Sequence, residues 1–351
     1  MELTDILKTA VSKNASDLFI IVGMPASFKA EGKTQKVDET ILKPADTEAL
    51  ISEIYNLAHR PKNRLEETGD DDFSFALAGV SRFRASIYRQ RGTLAAVIRI
   101  VKFNLPSPDE LGLPEVVLNL SEKTKGMILI TGPAGSGKST TLACMIDKIN
   151  NSRSAHVVTL EDPLEYLHSH KKSIVSQREI HLDTESYVSA LRASLRQAPD
   201  VILLGEMRDP ETIAVAMTAA ETGHLLLSTL HTVGAANSID RIIDAFPSAQ
   251  QQQIRVQLAQ VLRAVVSQQL IPTVDGGVVP AFEIMIVNTA IRNMIRESKV
   301  HQIETVMYSS AAEGMKTMDT SLVELYQAGK ISKKNALLYS INPDMLARRL
   351  G

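Results

Sequence analysis

Leu3, Ile6, Leu7, Ala10 and Val11 fall at i, i+3, i+4, i+7 and i+8, which predicts a short amphipathic helix at the start of the chain. The apolar run 18–22, stopped by Gly23 and Pro25, predicts a strand, and a hairpin is expected around Glu31-Gly32-Lys33. Ile51, Ile54, Leu57 and Ala58 give a second helical stripe. The period then changes to two. Phe73, Phe75 and Leu77 alternate with polar or small residues, Phe83, Ala85 and Ile87 do the same after Gly79, and 95–101 makes a third run. Three strands joined by short turns predict an antiparallel sheet with one buried face, so residues 1–102 read as an α+β domain.

Residues 103–114 hold three prolines and a glycine (Phe-Asn-Leu-Pro-Ser-Pro-Asp-Glu-Leu-Gly-Leu-Pro). Proline removes a donor and restricts its neighbour, which marks this stretch as the expected interdomain linker. Beyond it, short apolar runs at 127–130, 157–160, 201–204 and 225–227 alternate with helix-length segments. That texture predicts a parallel α/β sheet covered on both faces, in a domain spanning 115–351. From about Ser248 the pattern is mostly helical, broken by an expected strand at 282–287, and the C-terminal part from about 288 reads as helical throughout.

Composition narrows the classes. The 351 residues agree with two domains at roughly 150 residues each. With 38 Lys+Arg against 40 Asp+Glu the formal net charge is −2, which argues against a globally basic nucleic-acid binder. Cys144 is the sole cysteine, so neither an intramolecular disulfide nor a multi-cysteine zinc site is available. No apolar run reaches the roughly 18 residues of a membrane span, and no basic segment leads into an apolar one near Met1. A cytosolic chain without a leader is expected.

The chemistry concentrates in four blocks. In the first, 127–131 reads as a strand, followed by Gly132-Pro133-Ala134-Gly135-Ser136-Gly137-Lys138-Ser139-Thr140 and then a helix. This is G-x-x-x-x-G-K-S in the right context: glycines turn backbone N–H groups onto a triphosphate, Lys138 reaches the β/γ oxygens, and Ser139 offers its hydroxyl to Mg²⁺. The reading is a nucleoside triphosphate site. In the second, Val201-Ile-Leu-Leu-Gly205-Glu206 puts a carboxylate at the C-terminal end of a buried strand, where it can reach the Mg²⁺ shell or polarise water. In the third, Glu161, Asp162 and Glu165 cluster after another strand, with Pro163 fixing the turn. They offer water activation or metal ordering, or else an acidic surface loop. In the fourth, His224 and His231 flank an apolar run; the odd spacing separates them by strand face. His231 fits a γ-phosphate sensor, and His224 fits that role or a packed structural histidine.

These blocks, in this order, resemble the secretion ATPase superfamily of type II/IV secretion and type IV pili, and within it the pilus-retraction branch. Residues 132–140 match its Walker A motif, 159–168 its aspartate box, 203–209 its Walker B motif and 223–232 its histidine box. The likeness extends to Ser16-Asp17-Leu18, Ser81-Arg-Phe-Arg84, 239–247 and Gly314-Met315, and 289–297 resembles the C-terminal retraction motif. Phe19 stands where the family often has histidine, and Ala134 where a threonine is common.

The resemblance implies an α/β chain with an N-terminal PAS-like domain and a RecA-like P-loop ATPase domain. It also implies a homohexamer using ATP and Mg²⁺ at the cytoplasmic face of the membrane, against a pilus platform protein. Glu206 becomes the Walker B glutamate and a Mg²⁺ ligand beside Ser139, and Glu165 the catalytic glutamate, supported by Glu161 and Asp162. Among the arginines of the N-terminal strands, Arg82, Arg84 and Arg99 become candidates to reach a neighbouring subunit's nucleotide; the alternative is a solvated basic sheet face. Arg208 is a further candidate for coupling. Rival functions are the accessory retraction paralogue and a pilus extension or type II secretion ATPase, whose usual four-cysteine insert is missing here. From another class comes a RecA-like nucleic-acid translocase, disfavoured by neutral charge and 4% aromatic residues.

Overall fold

The computed structural model describes residues 2–30, 32–101 and 105–351, in two compact units. The first comprises the chain up to residue 104 together with Pro163–Leu167; the second comprises Leu105–Asp162 and His168–Gly351.

Among the described residues the first unit holds one six-stranded sheet: β1 (Asp17–Ile20), β2 (Pro25–Ala30), β3 (Lys33–Ile41), β4 (Asp70–Leu77), β5 (Ser81–Gln90) and β6 (Thr93–Val101). The order is β3-β2-β1-β6-β5-β4, with every pairing antiparallel. The period-two pattern sets the buried face: Phe83, Ala85 and Ile87 are fully buried while Arg84 and Ser86 between them are exposed. Helices Leu3–Ser12 and Pro44–Leu57 supply the other half of this core through Leu3, Ile6, Leu7, Leu50, Ile51 and Ile54. A single antiparallel sheet with its helices packed into one core is the PAS-like arrangement expected. The sequence showed β4–β6 as a sheet, but the closing pair is long-range: Asp17↔Arg99 to Ile20↔Ala96 joins β1 to β6. The hairpin expected around 31–33 has its Glu31 outside the described residues; β2 and β3 pair on either side through Ala30↔Lys33.

One polar group is built into this core. The Asp71 side chain is wholly buried and takes a two-pronged contact from Arg60 (Nε 3.0 Å, Nη2 2.8 Å) and the Tyr55 hydroxyl at 3.1 Å. Burial, with the Asp71 charge second, pushes the Tyr55 phenol well above its usual range. Removing one member of a buried charged pair leaves the other uncompensated. Arg60→Ala is therefore expected to cost about 3 kcal/mol of unfolding free energy, read by urea titration of the full chain.

The second unit is a seven-stranded sheet among the described residues. Its strands are β7 (Gly126–Thr131), β8 (His156–Glu161), β9 (Ile174–Glu179), β10 (Val201–Leu204), β11 (Leu225–Leu230), β12 (Leu262–Pro272) and β13 (Val278–Ile286). The order is β13-β12-β7-β11-β10-β8-β9, parallel throughout except for β13, which runs antiparallel on the edge. Both faces are covered: Met127, Leu129, Val158 and Leu160 enter one core, while Ile128, Ile130, Val157 and Leu203 enter the other. This is the RecA-like layer architecture expected. Two strands were not foreseen. β12 follows the helix Ser248–Val261 without a turn, so no breaker marks its start, and β9 is a mixed polar edge strand with little periodic signal.

Of the proline-rich stretch expected to be a linker, Phe103 and Asn104 lie outside the described residues. The remainder belongs to the second unit: Leu113 is buried and Leu105 and Leu111 pack on the same core. Three prolines break secondary structure there without preventing apolar packing. Cys144 is buried on the neighbouring helix Lys138–Ser152, its thiol pushed up to about 11 chiefly by desolvation.

Candidate active site

β7 delivers the chain into the glycine-rich loop, and the helix Lys138–Ser152 leaves it. Gly132 has φ +141°, and a Cβ there would stand 2.1 Å from the Gln268 carbonyl oxygen of β12, so only glycine lets the backbone turn this close to the next strand. Gly137 caps the helix in the left-handed region at φ +89°. Lys138 is buried at 7% exposure, its ammonium donating to the carbonyls of Gly132 (3.0 Å) and Pro133 (2.9 Å) across the loop. Pro133, Ala134 and Gly135 are exposed, and Ser139 and Thr140 lie half-buried in the first helical turn. The Ser136 hydroxyl is buried with no hydrogen-bond partner among the described residues. A buried unmatched hydroxyl, a lysine and a helix N-terminus converging on one loop fit a polyphosphate group.

Glu206 emerges from β10 on the same carboxyl edge of the sheet, since β10, β11 and β7 are parallel neighbours. Its local backbone is fixed from both sides. Gly205 N–H donates to Leu160 O at 2.8 Å, and the Thr229 hydroxyl donates to Gly205 O at 2.6 Å. The Glu206 carboxylate is mostly enclosed and accepts from Arg208 Nη2 at 2.7 Å, with His231 Nε2 at 3.3 Å on the other oxygen. The structure thus brings Glu206, Arg208 and His231 together. Tyr187 was not foreseen: burial first, then the nearby carboxylates of Glu206, Asp162 and Glu161, drive its phenol far above the ordinary value. Its hydroxyl would meet a Cβ at Gly205 at 2.8 Å, which is the packing reason for that glycine.

The remaining candidates divide. Glu161 ends β8 half-buried, and Asp162 follows it exposed. Among the described residues no three His, Cys, Asp or Glu side chains form a metal-holding group. His224 precedes β11 at the opposite strand end from His231, half-buried, and its Nδ1–H donates to Ala219 O at 2.9 Å. Glu165 is exposed and belongs to the first unit. There it lines a cavity of about 370 Å³ with Arg84, Arg99, Leu164 and Tyr166. Arg84 and Arg99 are direct cross-strand partners on the exposed sheet face, and Arg82 shares that face at half exposure. Arg99 Nε also contacts Asp17 at 3.1 Å.

The segment 289–297 forms the helix Thr289–Arg296, capped by the Asn288 side chain accepting from Ile291 N–H. Ile291 and Ile295 anchor it in the core, and Arg292 Nε donates to Ala259 O at 3.1 Å. Gln268 is also missed from sequence; its Oε1 accepts from the Thr141 hydroxyl at 2.7 Å and braces the loop helix. The only signal was the polar trio Ser267-Gln268-Gln269 inside an otherwise apolar strand.

Known proteins resemble this chain over nearly its whole length. The family model for type II/IV secretion system protein matches residues 2–318. The type IV pilus retraction ATPase PilT of Pseudomonas aeruginosa is 44% identical, over 96% of this chain and 97% of its own length. The type IV pilus ATPase PilU of the same organism is 39% identical over 100% and 92%. A crystal structure of the pilus retraction motor PilT with bound ADP superposes at a TM-score of 0.89 with 45% identity, covering 99% of both chains. Matched by the family model over residues 2–318 and by PilT over 96% of its length, the chain belongs to the type II/IV secretion system protein family, in the group that holds PilT.

Proposed function

We propose that this chain is an ATP-hydrolysing motor subunit that powers type IV pilus retraction from the cytoplasmic face of the membrane, as a ring of six identical copies acting on the pilus platform protein. The observation that carries it is the loop 132–140 facing the same sheet edge as the Glu206–His231 pair, in a chain alike to PilT from end to end. Among the described residues no helix is long and apolar enough to cross a membrane, so the reading routes membrane contact through a partner.

ATP is held by the amides of the loop and by Lys138, whose ammonium exchanges the two loop carbonyls for phosphate oxygens. Ser139 and Glu206 would hold Mg²⁺, which supplies charge neutralisation at the β- and γ-oxygens when bound. Glu206 orients the attacking water, with Glu161 and Asp162 in support; Glu165, carried by the first unit, is the alternative catalytic carboxylate. His231, hydrogen-bonded to Glu206, registers whether the γ-phosphate is present. Arg84 or Arg99 acts on the nucleotide of a neighbouring subunit; their shared exposed face is what supports this. Such an arginine in trans is worth about 10³–10⁵ in rate.

The trans role has its own test. Arg84→Ala and Lys138→Ala subunits, each inactive alone, are expected to recover ATPase activity when co-assembled. About a quarter of interfaces in a random ring then join an intact loop to an intact arginine. No recovery would place Arg84 in its own subunit's chemistry; the same mixture with Arg99→Ala separates the two arginines. The rival readings have readouts too. Stimulation by single-stranded DNA would favour a translocase, and loss of filaments on gene deletion would favour extension.

A further inference from the structure

β12 and β13 carry a polar rung in an apolar neighbourhood. Ser267 and Glu283 are direct cross-strand partners, and Ser267 also pairs with Thr131, the residue before the phosphate loop. Both side chains are buried, Ser267 fully and Glu283 at 4% exposure. Each accepts from the turn that follows His231: Gly234 N–H donates to Ser267 Oγ at 2.9 Å, and Ala235 N–H donates to Glu283 Oε1 at 2.6 Å. The second carboxylate oxygen accepts from Met318 N–H at 3.3 Å, at the start of the helix Met318–Gln327. The segment leading to that helix is itself stitched to β13, with Ile284 and Lys316 exchanging backbone hydrogen bonds at 2.7 and 3.0 Å. Asp319 then accepts from the backbone of Ile341 and Asn342, carrying the connection into the last helices.

A carboxylate this deeply buried is costly without compensation, and among the described residues no ion-pair partner to Glu283 is found. Burial raises its pKa while the two backbone donors oppose the rise. Those donors open the helices Ala235–Asp244 and Met318–Gln327, whose N-terminal partial positive charge is the available counterweight. A packing role alone is met by an apolar side chain of similar volume. Two acceptor oxygens spread between two separate helix starts do something else: they tie both starts to one point.

We propose that Glu283, with Ser267 beside it, is a positioning residue that holds the His231 turn in register with the phosphate loop and links it to the C-terminal segment 314–327. This rests on the reading of His231 as the γ-phosphate reporter. When His231 shifts with nucleotide state, the 234–235 turn cannot move without either stretching its bonds to the rung or carrying Met318 with it. The Gly314-Met315 likeness noted in the sequence, which the catalytic site does not absorb, then acquires a role as the receiving end of this link.

The test is hydrogen–deuterium exchange on the assembled full chain, with and without a non-hydrolysable ATP analogue, for wild type, Glu283→Gln and Ser267→Ala. Glutamine keeps the volume but turns one of the two acceptors into a donor. In wild type the analogue is expected to change protection at 132–140, 231–238 and 314–327 together. In Glu283→Gln the 132–140 response remains, the 314–327 response is lost, and kcat falls about tenfold with ADP affinity little changed. Ser267→Ala, a smaller change, is expected to move in the same direction. A merely structural role lowers the melting temperature while leaving the nucleotide-dependent difference at 314–327 in place, and that result overturns the proposal. Wild type responding at 132–140 but not at 314–327 also overturns it. Wild type silent at 132–140 overturns the nucleotide reading itself, and the proposal with it.

Discussion

Lys138→Ala is expected to reduce steady-state ATPase activity by about 10³-fold or more, because one residue supplies the only full positive charge that the glycine loop itself carries. The ammonium is already enclosed, lying across the loop on the carbonyls of Gly132 and Pro133, so it meets incoming phosphate with its side chain ordered in advance. Truncation removes that charge and leaves two carbonyls short of a donor, a cost of about 1–3 kcal/mol at most. Lys138→Met keeps the apolar stem in place, which separates loss of charge from loss of packing. Both variants are expected to melt within a few degrees of wild type yet fail to turn over, as read by phosphate release and fluorescent-nucleotide binding. Full activity in either would remove the loop from the chemistry.

Glu206→Gln is expected to give the opposite signature, ATP retained and hydrolysis lost by about 10²–10⁴-fold, the range of a general-base or water-orienting group. The carboxylate lies between Arg208 and His231, and glutamine fills the same volume with one acceptor fewer and no charge. Arg208 is largely exposed, so its ion pair contributes at most about 1 kcal/mol and stability hardly changes. The substituted protein should therefore accumulate in the ATP-bound state, measured as nucleotide stoichiometry after rapid desalting. Rapid turnover would remove Glu206 from the activation of water.

How much of this was legible in the sequence depends on how local the cause is. The phosphate loop could be read because its chemistry is contiguous: strand, glycines, lysine and helix follow one another within about a dozen residues. The four parallel strands announced themselves as fully buried apolar runs. The pairing of β1 with β6 was not legible, since it depends on which of several apolar edges meet across 80 residues of chain. The bracing of the loop by Gln268 and of the His231 turn by Ser267 and Glu283 was hidden for the same reason: each is a polar residue in an apolar strand, and its partner lies on another element. The proline-rich stretch misled in part because proline reports broken secondary structure, not absence of packing, and Leu113 packs nonetheless. Glu165, Arg84 and Arg99 stand out in the sequence for separate reasons, and the structure places them around one cavity of the first unit.

The central claim is that ATP hydrolysis at this loop drives pilus removal. It is tested most directly by imaging fluorescently labelled pili on living cells from which the gene has been deleted, complemented with wild type or with Lys138→Ala. The account predicts that deleted cells accumulate long filaments with no retraction events, that wild type restores retraction, and that Lys138→Ala does not. Bald cells, or retraction continuing at the wild-type rate without the gene, would contradict it.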